Sequence, residues 1–281
     1  MRVCLWFLLL TCPATPAAKV PITHEILWMM KRVSSPIVSP DGKWVVFTLT
    51  EPSYTEGEQS TDLWIVAADG SSKPRRLTST KSAESGAAWS PDSRRIAFST
   101  RREGDEVAQI YLLDVVGGGE AMRVTSLSTG ALAPQFSPNG QNLLFASRVY
   151  PGTLTDEENK KKAAEHKTRK YKARVYEAFP IRNWDRWLDE MQTHLFVQPM
   201  DKPGAGAKDL LAGSNLVAEK GYGGVTGPGH DDLMPAWAPD SQSIVFTASI
   251  NRNAGAYSGT VTHLYQVPLS GREPKRFTKG N

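Results

Sequence analysis

Cysteine is close to absent from this chain of 281 residues. Its two cysteines, Cys4 and Cys12, both fall near the N-terminus, so the remainder can form no disulfide and do no thiol chemistry. Long apolar runs are missing as well: the stretch at residues 3–10 is too short to span a bilayer, so no membrane span is expected. Neither sign of charge dominates. With 33 Lys and Arg against 29 Asp and Glu, the net charge of +4 gives no compositional case for a nucleic-acid partner. The histidines and cysteines are not spaced as a metal-ligand set. Gly117-Gly118-Gly119 has no strand-to-helix context and reads as a flexible turn, not a nucleotide site. No cofactor is therefore expected.

What the chain does have is 40% hydrophobic residues, enough for a sizeable core, with 23 Gly and 19 Pro, a composition suited to many tight turns and hence to β structure. The N-terminus has the order of an export signal: Arg2, the apolar run 3–10, then the small residues Ala14, Ala17 and Ala18. Residues 1–18 are accordingly expected to be a signal peptide, 19–281 the mature segment, and the destination secreted or periplasmic.

One short string recurs four times: Ser39-Pro40-Asp41-Gly42, Ser90-Pro91-Asp92-Ser93, Ser137-Pro138-Asn139-Gly140 and Ala238-Pro239-Asp240-Ser241. Proline presets the first turn position, and Asp, Asn, Gly or Ser tolerate the tight positions after it. The last three strings follow an aromatic (Trp89, Phe136, Trp237), the first follows Val38, and each leads into an alternating apolar strand such as Trp44-Val45-Val46-Phe47. A third strand then reads Leu63-Trp64-Ile65-Val66, Ile110-Tyr111-Leu112-Leu113, Leu195-Phe196-Val197 and Leu264-Tyr265-Gln266-Val267. Short fourth strands begin near Arg75, Met122, Asp209 and Lys275. The pattern predicts an all-β fold, a β-propeller of about four four-stranded antiparallel blades.

The repeats start 51 and then 47 residues apart, but Ser137 and Ala238 lie 101 apart. The third and fourth strands of unit three still occur only once, so the excess is an insertion at about 150–193 within blade three. Because the chain stops just after the fourth strand of unit four, the four blades are expected to form an incomplete ring.

Three stretches carry a family resemblance. These are Leu27-Trp28-Met29-Met30-Lys31-Arg32-Val33-Ser34-Ser35-Pro36, the aromatic-Ser-Pro-Asp repeats, and Arg182-Asn183-Trp184-Asp185-Arg186-Trp187 leading into His194-Leu195-Phe196-Val197. Together they resemble the prolyl oligopeptidase family, in its bacterial acylaminoacyl-peptidase and dipeptidyl-peptidase branch. The resemblance implies a propeller followed by an α/β-hydrolase domain bearing a Gly-x-Ser-x-Gly elbow with Asp and His downstream. No such elbow occurs: Gly255-Ala256-Tyr257-Ser258-Gly259 has Tyr257 in the nucleophile position. The catalytic domain is thus expected to be absent and no residue here to be catalytic. The expected function is the gating and substrate-positioning portion of an exported serine peptidase cleaving oligopeptides. The alternative is a non-enzymatic periplasmic propeller for protein–protein interaction, similar to that of the Tol system.

Within the insertion, Thr155 and Glu158 form a capping-box pattern, and Asp156, Glu157 and Glu158 precede Lys160, Lys161 and Lys162 by four residues, which predicts a solvated helix over about 156–174. Its cluster Lys167, Arg169, Lys170, Lys172 and Arg174 could attract an acidic partner. Trp184, Trp187, Leu188 and Met191 fall at helical spacing and predict a second short helix. By resemblance to dipeptidyl peptidases, Asp185, Asp189 and Glu190 are candidates to hold a peptide's free amine, with Arg182 or Arg186 binding a carbonyl or carboxylate. The competing expectation is that the tryptophans pin the insertion to the propeller and the charges are solvated. His230-Asp231-Asp232 reads as a polar loop rather than a metal site, and His194 and His263 as packing residues at matching repeat positions.

Overall fold

The structure, a computed structural model, describes residues 21–171, 173–176, 179–202, 206–227, 231–271 and 273–279. The expected signal segment lies outside the described residues. After a short helix α1 (His24–Trp28), blade one comprises β1 (Arg32–Val38), β2 (Trp44–Glu51), β3 (Ser60–Ala67) and β4 (Arg75–Arg76). Blade two is β5 (Ser85–Trp89), β6 (Arg95–Thr100), β7 (Gln109–Asp114) and β8 (Met122–Arg123). Blade three opens with β9 (Leu132–Phe136) and β10 (Asn142–Val149). The insertion follows, with α2 (Asp156–Thr168) and a small hairpin of β11 (Arg182–Asn183) and β12 (Arg186–Trp187). The blade then closes with β13 (Gln192–Pro199) and β14 (Lys208–Asp209). Next come α3 (Asn215–Ala218) and a hairpin of β15 (Val225–Thr226) and β16 (Asp231–Asp232). Blade four is β17 (Ala236–Trp237), β18 (Ser243–Ala248), β19 (His263–Pro268) and β20 (Lys275–Arg276). Each blade is a four-stranded antiparallel meander.

The Pro-Asp string forms the turn between the first and second strands. Ser39 Oγ donates to Asp41 Oδ1 (2.6 Å) and accepts from the Trp44 amide (3.0 Å), while Asp41 Oδ1 accepts from the Lys43 amide (3.1 Å). Blades two and three repeat this set. Ala238 lacks the hydroxyl in blade four, but the backbone bonds of the turn persist there. The last turn position is left-handed throughout: Gly42 (φ 73°), Ser93 (60°), Gly140 (70°) and Ser241 (60°). A second repeated device fastens the fourth strand to the third. Thr78, Thr125 and Thr278 accept from the amides of Leu63, Ile110 and Leu264, while the Nε of Arg76, Arg123 and Arg276 donates to the carbonyls of those threonines.

Strand periodicity explains why the blades stack. Ile96 and Phe98 of β6 pack toward blade one with Val46, Leu63 and Ile65, whereas Ala97 between them packs toward blade three. Leu143 and Phe145 of β10 face blade two, and Leu144 faces blade four. Each seam buries a phenylalanine completely (Phe98, Phe145, Phe246), and truncating any of them to alanine should cost about 3–5 kcal/mol. No core cluster joins blade four to blade one among the described residues. The outward faces of these terminal blades, with Phe47 and Trp64 on one and Val245 and Leu264 on the other, are only half-buried.

Two expectations are corrected. The first insertion helix ends at Thr168, not near 174. Thr168 Oγ1 turns back to the carbonyls of Ala164 and Glu165, and the cationic residues beyond it have no acidic residue four positions earlier except Glu165. The second helix does not form. Residues 182–187 are a β-hairpin, because Trp184 turns left-handed (φ 55°), Arg182 pairs with Trp187, and the Leu188 amide bonds the Ile181 carbonyl at 3.1 Å.

Candidate functional site

The insertion leaves blade three at Val149 and re-enters at Gln192, two residues that face each other in the β10–β13 register. α2 starts as its sequence dictates: Thr155 Oγ1 caps the Glu158 amide (3.2 Å), and Glu158 accepts from the Leu154 amide (2.7 Å). Asp156 Oδ1 accepts from the Ser128 amide (2.8 Å) and hydroxyl (2.6 Å), while its other oxygen pairs with Lys160 (2.9 Å). Burial works to raise the Asp156 carboxyl, but the bonds from Ser128 and Lys160 outweigh it and hold the group below its ordinary value. The helix is thereby tied to the loop after blade two. A cavity of about 560 Å³ lies between its first turn, that loop and β13–β14.

The far end of α2 is tied to the approach to β13. His166 Nε2 lies 2.7 Å from Glu190, Tyr150 packs against the His166 ring (centroids 4.9 Å apart), and Arg148 pairs with Asp189. Burial, with Glu190 and Asp189 nearby, pushes the Tyr150 phenol upward. Of the three acidic candidates, Asp189 and Glu190 are therefore engaged within the chain. Asp185 has no ion pair among the described residues and sits exposed at the hairpin tip beside Trp184, which is 89% exposed. The Arg182 guanidinium lies over the Trp187 ring at 5.8 Å, and the Tyr176 ring packs against it at a tilt of 34° with centroids 6.3 Å apart. Arg186 is exposed and has an interaction of its own. The five candidates thus divide: Asp189 and Glu190 anchor the insertion, while Arg182, Asp185 and Arg186 lie on the projecting hairpin.

The hairpin itself is fixed to blade four. Asn183 Nδ2 donates to the Gly227 carbonyl (2.8 Å), and the Phe179 amide donates to Asn253 Oδ1 (2.9 Å). Trp184 does not pin the insertion, contrary to one expectation, since its side chain faces solvent. His230 and Lys172 lie outside the described residues; Asp231 and Asp232 form the short strand β16 rather than a loop, with Asp231 paired to Arg252 and Asp232 accepting from the Met234 amide (2.7 Å). The string at 255–259 overlaps the end of a 3₁₀ turn (Arg252–Ala256) between β18 and β19 and is not a strand-to-helix elbow.

His194 and His263 are buried at matching positions, as their place in the repeat implied. His194 donates from Nδ1 to Asp209 Oδ2 (2.7 Å). Its Nε2 meets no hydroxyl and lies shielded near Tyr222, so the pair is a packing element.

Sequence reasoning missed a further set. Ser35 (φ 50°), Gly86 (62°), Ala133 (51°) and Met234 (46°) hold left-handed backbone at the first strand of each blade. Residues 86–89 and 133–135, with Ile37, Val38 and Pro40, line an open cavity of about 390 Å³ where the first strands converge. Three of the four precede proline (Pro36, Pro134, Pro235), a recurrence that was visible in the sequence.

The PD40 family, described as the TolB beta propeller domain, matches residues 24–166, just over half of the chain. The chain belongs to this β-propeller family, and it fits the N-terminal propeller portion of a prolyl oligopeptidase family protein. It is 28% identical over 257 residues to Dipeptidyl-peptidase 5 of Porphyromonas endodontalis, a match covering 86% of this chain and 35% of that protein. A 77-residue stretch is 36% identical to Dipeptidyl-peptidase 5 of Porphyromonas gingivalis, covering 27% of this chain and 11% of that one. The chain therefore spans about a third or less of the relatives it matches. Among solved structures, the acylaminoacyl peptidase of Pyrococcus horikoshii superposes with a TM-score of 0.59 at 13% identity, over 92% of this chain and 34% of that one. The β-propeller domain of the Trilobed protease from Pyrococcus furiosus gives 0.51 at 12% identity, over 89% and 57%. At such identity these two bear on the fold alone.

Proposed function

We propose that this chain is the propeller portion of an exported serine peptidase acting on oligopeptides, where it governs access and positions substrate for chemistry carried elsewhere in the polypeptide. The observation that carries this reading is the alignment with a dipeptidyl peptidase over 86% of the chain, a chain whose insertion projects a charged, aromatic hairpin. In this role Asp185 is the residue available to meet a free amine, since Asp189 and Glu190 are taken up by Arg148 and His166. Arg182 and Arg186 lie on the same hairpin, and in this role they meet a carbonyl or carboxylate. The match to the TolB propeller family favours a second reading, a non-enzymatic periplasmic scaffold for protein partners.

A fluorophosphonate probe separates the two. Under the peptidase reading, the gene product that includes whatever is encoded after Asn281 is labelled on serine, whereas residues 1–281 alone stay unlabelled. Absence of any labelled serine in the longest natural product would overturn the peptidase reading. In the labelled protein, Asp185→Asn should raise KM for free-amine peptides several-fold more than for N-blocked ones. An equal effect on both would remove Asp185 from that role.

A further inference from the structure

We propose that the exposed side of the insertion is a docking face for acidic peptide segments, an inference that rests on the peptide-handling role above and specifies its substrate class. Residues 160–174 contain eight Lys and Arg against one glutamate, Glu165. Lys160 is paired with Asp156, and Lys162 donates to the Pro151 carbonyl. Lys161, Lys167, Lys170 and Arg174 are exposed and have no carboxylate partner among the described residues.

The run is tied at two points: His166 lies 2.7 Å from Glu190, and Tyr176 Oη, just beyond it, donates to the Leu188 carbonyl at 2.8 Å, which brings the run to residues 188–190 at these two contacts. The acids that could have neutralised it there are occupied, Glu190 by His166 and Asp189 by Arg148. Exposed aromatic rings occur on both tied parts: Tyr171 within the run itself, and Trp184 and Trp187 on the hairpin, with the Arg182 guanidinium over the last. Cations beside exposed aromatic rings suit a ligand that brings carboxylates together with some apolar side chain.

The same features argue against an anionic bilayer as the occupant. A membrane-surface helix needs an apolar side to bury, and α2 offers only Ala163 and Ala164 among otherwise polar residues. A peptide requires no such stripe.

The test is binding to the full chain, read by fluorescence anisotropy with labelled peptides of equal length that are Glu-rich, Ser/Gly-rich or Lys-rich. The Glu-rich peptide should bind about tenfold more tightly than the Ser/Gly-rich one, the preference shrinking as salt is raised. Replacing Lys161, Lys167, Lys170 and Arg174 with glutamine should abolish the preference. The single substitution Lys170→Glu, at an exposed site, should reduce it and guards against misfolding of the multiple variant. Trp184→Ala should weaken both acidic and neutral peptides alike. Equal binding of acidic and neutral peptides would overturn the acidic preference while leaving the peptide-handling role intact. Failure of every peptide to bind would sink both. Binding to phosphatidylglycerol vesicles without preference for the Glu-rich peptide would replace a peptide with a lipid surface.

Discussion

The indole nitrogen of Trp89 donates to the Ile37 carbonyl, 3.3 Å away on the first strand of the preceding blade. Trp237 does the same to Gln135 at 3.3 Å. The aromatic before the Pro-Asp string thus acts as a bolt between neighbouring blades, and Phe136, with no N–H, leaves the seam between blades two and three without one. Trp89→Phe or Trp237→Phe should keep most of the ring packing and lose the bond, costing about 1 kcal/mol each in urea unfolding. A change near zero would show that the contact is packing alone.

Ser93 and Ser241 occupy left-handed positions where the other two turns use glycine, and each Oγ accepts an amide from the preceding blade: Asp41 N–H at 3.0 Å and Asn139 N–H at 3.2 Å. Glycine would relieve the backbone strain but lose the bond, so Ser93→Gly should be nearly neutral. Ser93→Ala keeps the strain and loses the bond, and should cost about 1–2 kcal/mol. Thermal melts of the two variants check the order.

His194 and Asp209 in blade three occupy the places held in blade one by Asp62 and Arg76, where the carboxylate sits on the third strand instead of the fourth and the contact is 2.5 Å. Asp209 Oδ1 also accepts from the amides of Leu211 (2.8 Å) and Ala212 (3.1 Å). Asp209→Ala should therefore cost about 2–4 kcal/mol, stranding both a buried imidazole and two amides. Asp209→Asn, which can still accept those amides, should cost markedly less. Chemical denaturation of both variants distinguishes them.

Glu84 is buried between blades one and two, where Thr80 and Thr78 donate to it at 2.7 and 3.0 Å. Burial raises its carboxyl above the ordinary value; Asp62 adds to the rise, and the two threonines and Arg102 oppose it. Asp62 is itself paired with Arg76. The folded state therefore binds the Glu84 proton more tightly than the unfolded state. The resulting contribution to stability is fully present below the unfolded pKa and is lost as pH rises through the raised folded value. Glu84→Gln should flatten this part of the profile, which lies above the ordinary glutamate value of about 4.3. Asp41, Asp92 and Asp156, held low, slope the opposite way in both proteins, so the difference between the two melting profiles isolates Glu84.

The blades were legible in the sequence because their turns are chemically local: Ser39, Asp41 and Trp44 bond within six residues of one another, and the strand after each turn alternates visibly. The α2 start was equally local. The hairpin at 182–187 was not, because Trp184, Trp187, Leu188 and Met191 fit helical spacing, while what decides the structure is distant: Gly227 holding Asn183 and Asn253 holding Phe179. The charge state of the candidate site was hidden for the same reason. Nothing in the local spacing of Asp189 and Glu190 reveals that Arg148, before the insertion, and His166, on α2, would claim them.

Val149 and Gln192 stand directly opposite one another on paired strands, so the insertion leaves and re-enters blade three at adjacent points, and its further ties are a few single bonds: Asp156 to Ser128, Asn183 to Gly227 and Phe179 to Asn253. A tight Asn-Gly corner could bridge that gap as well as the native segment does. The insertion can consequently vary in length between its two anchoring strands without changing the register of the blade that carries it, at the loss of only those few outside bonds.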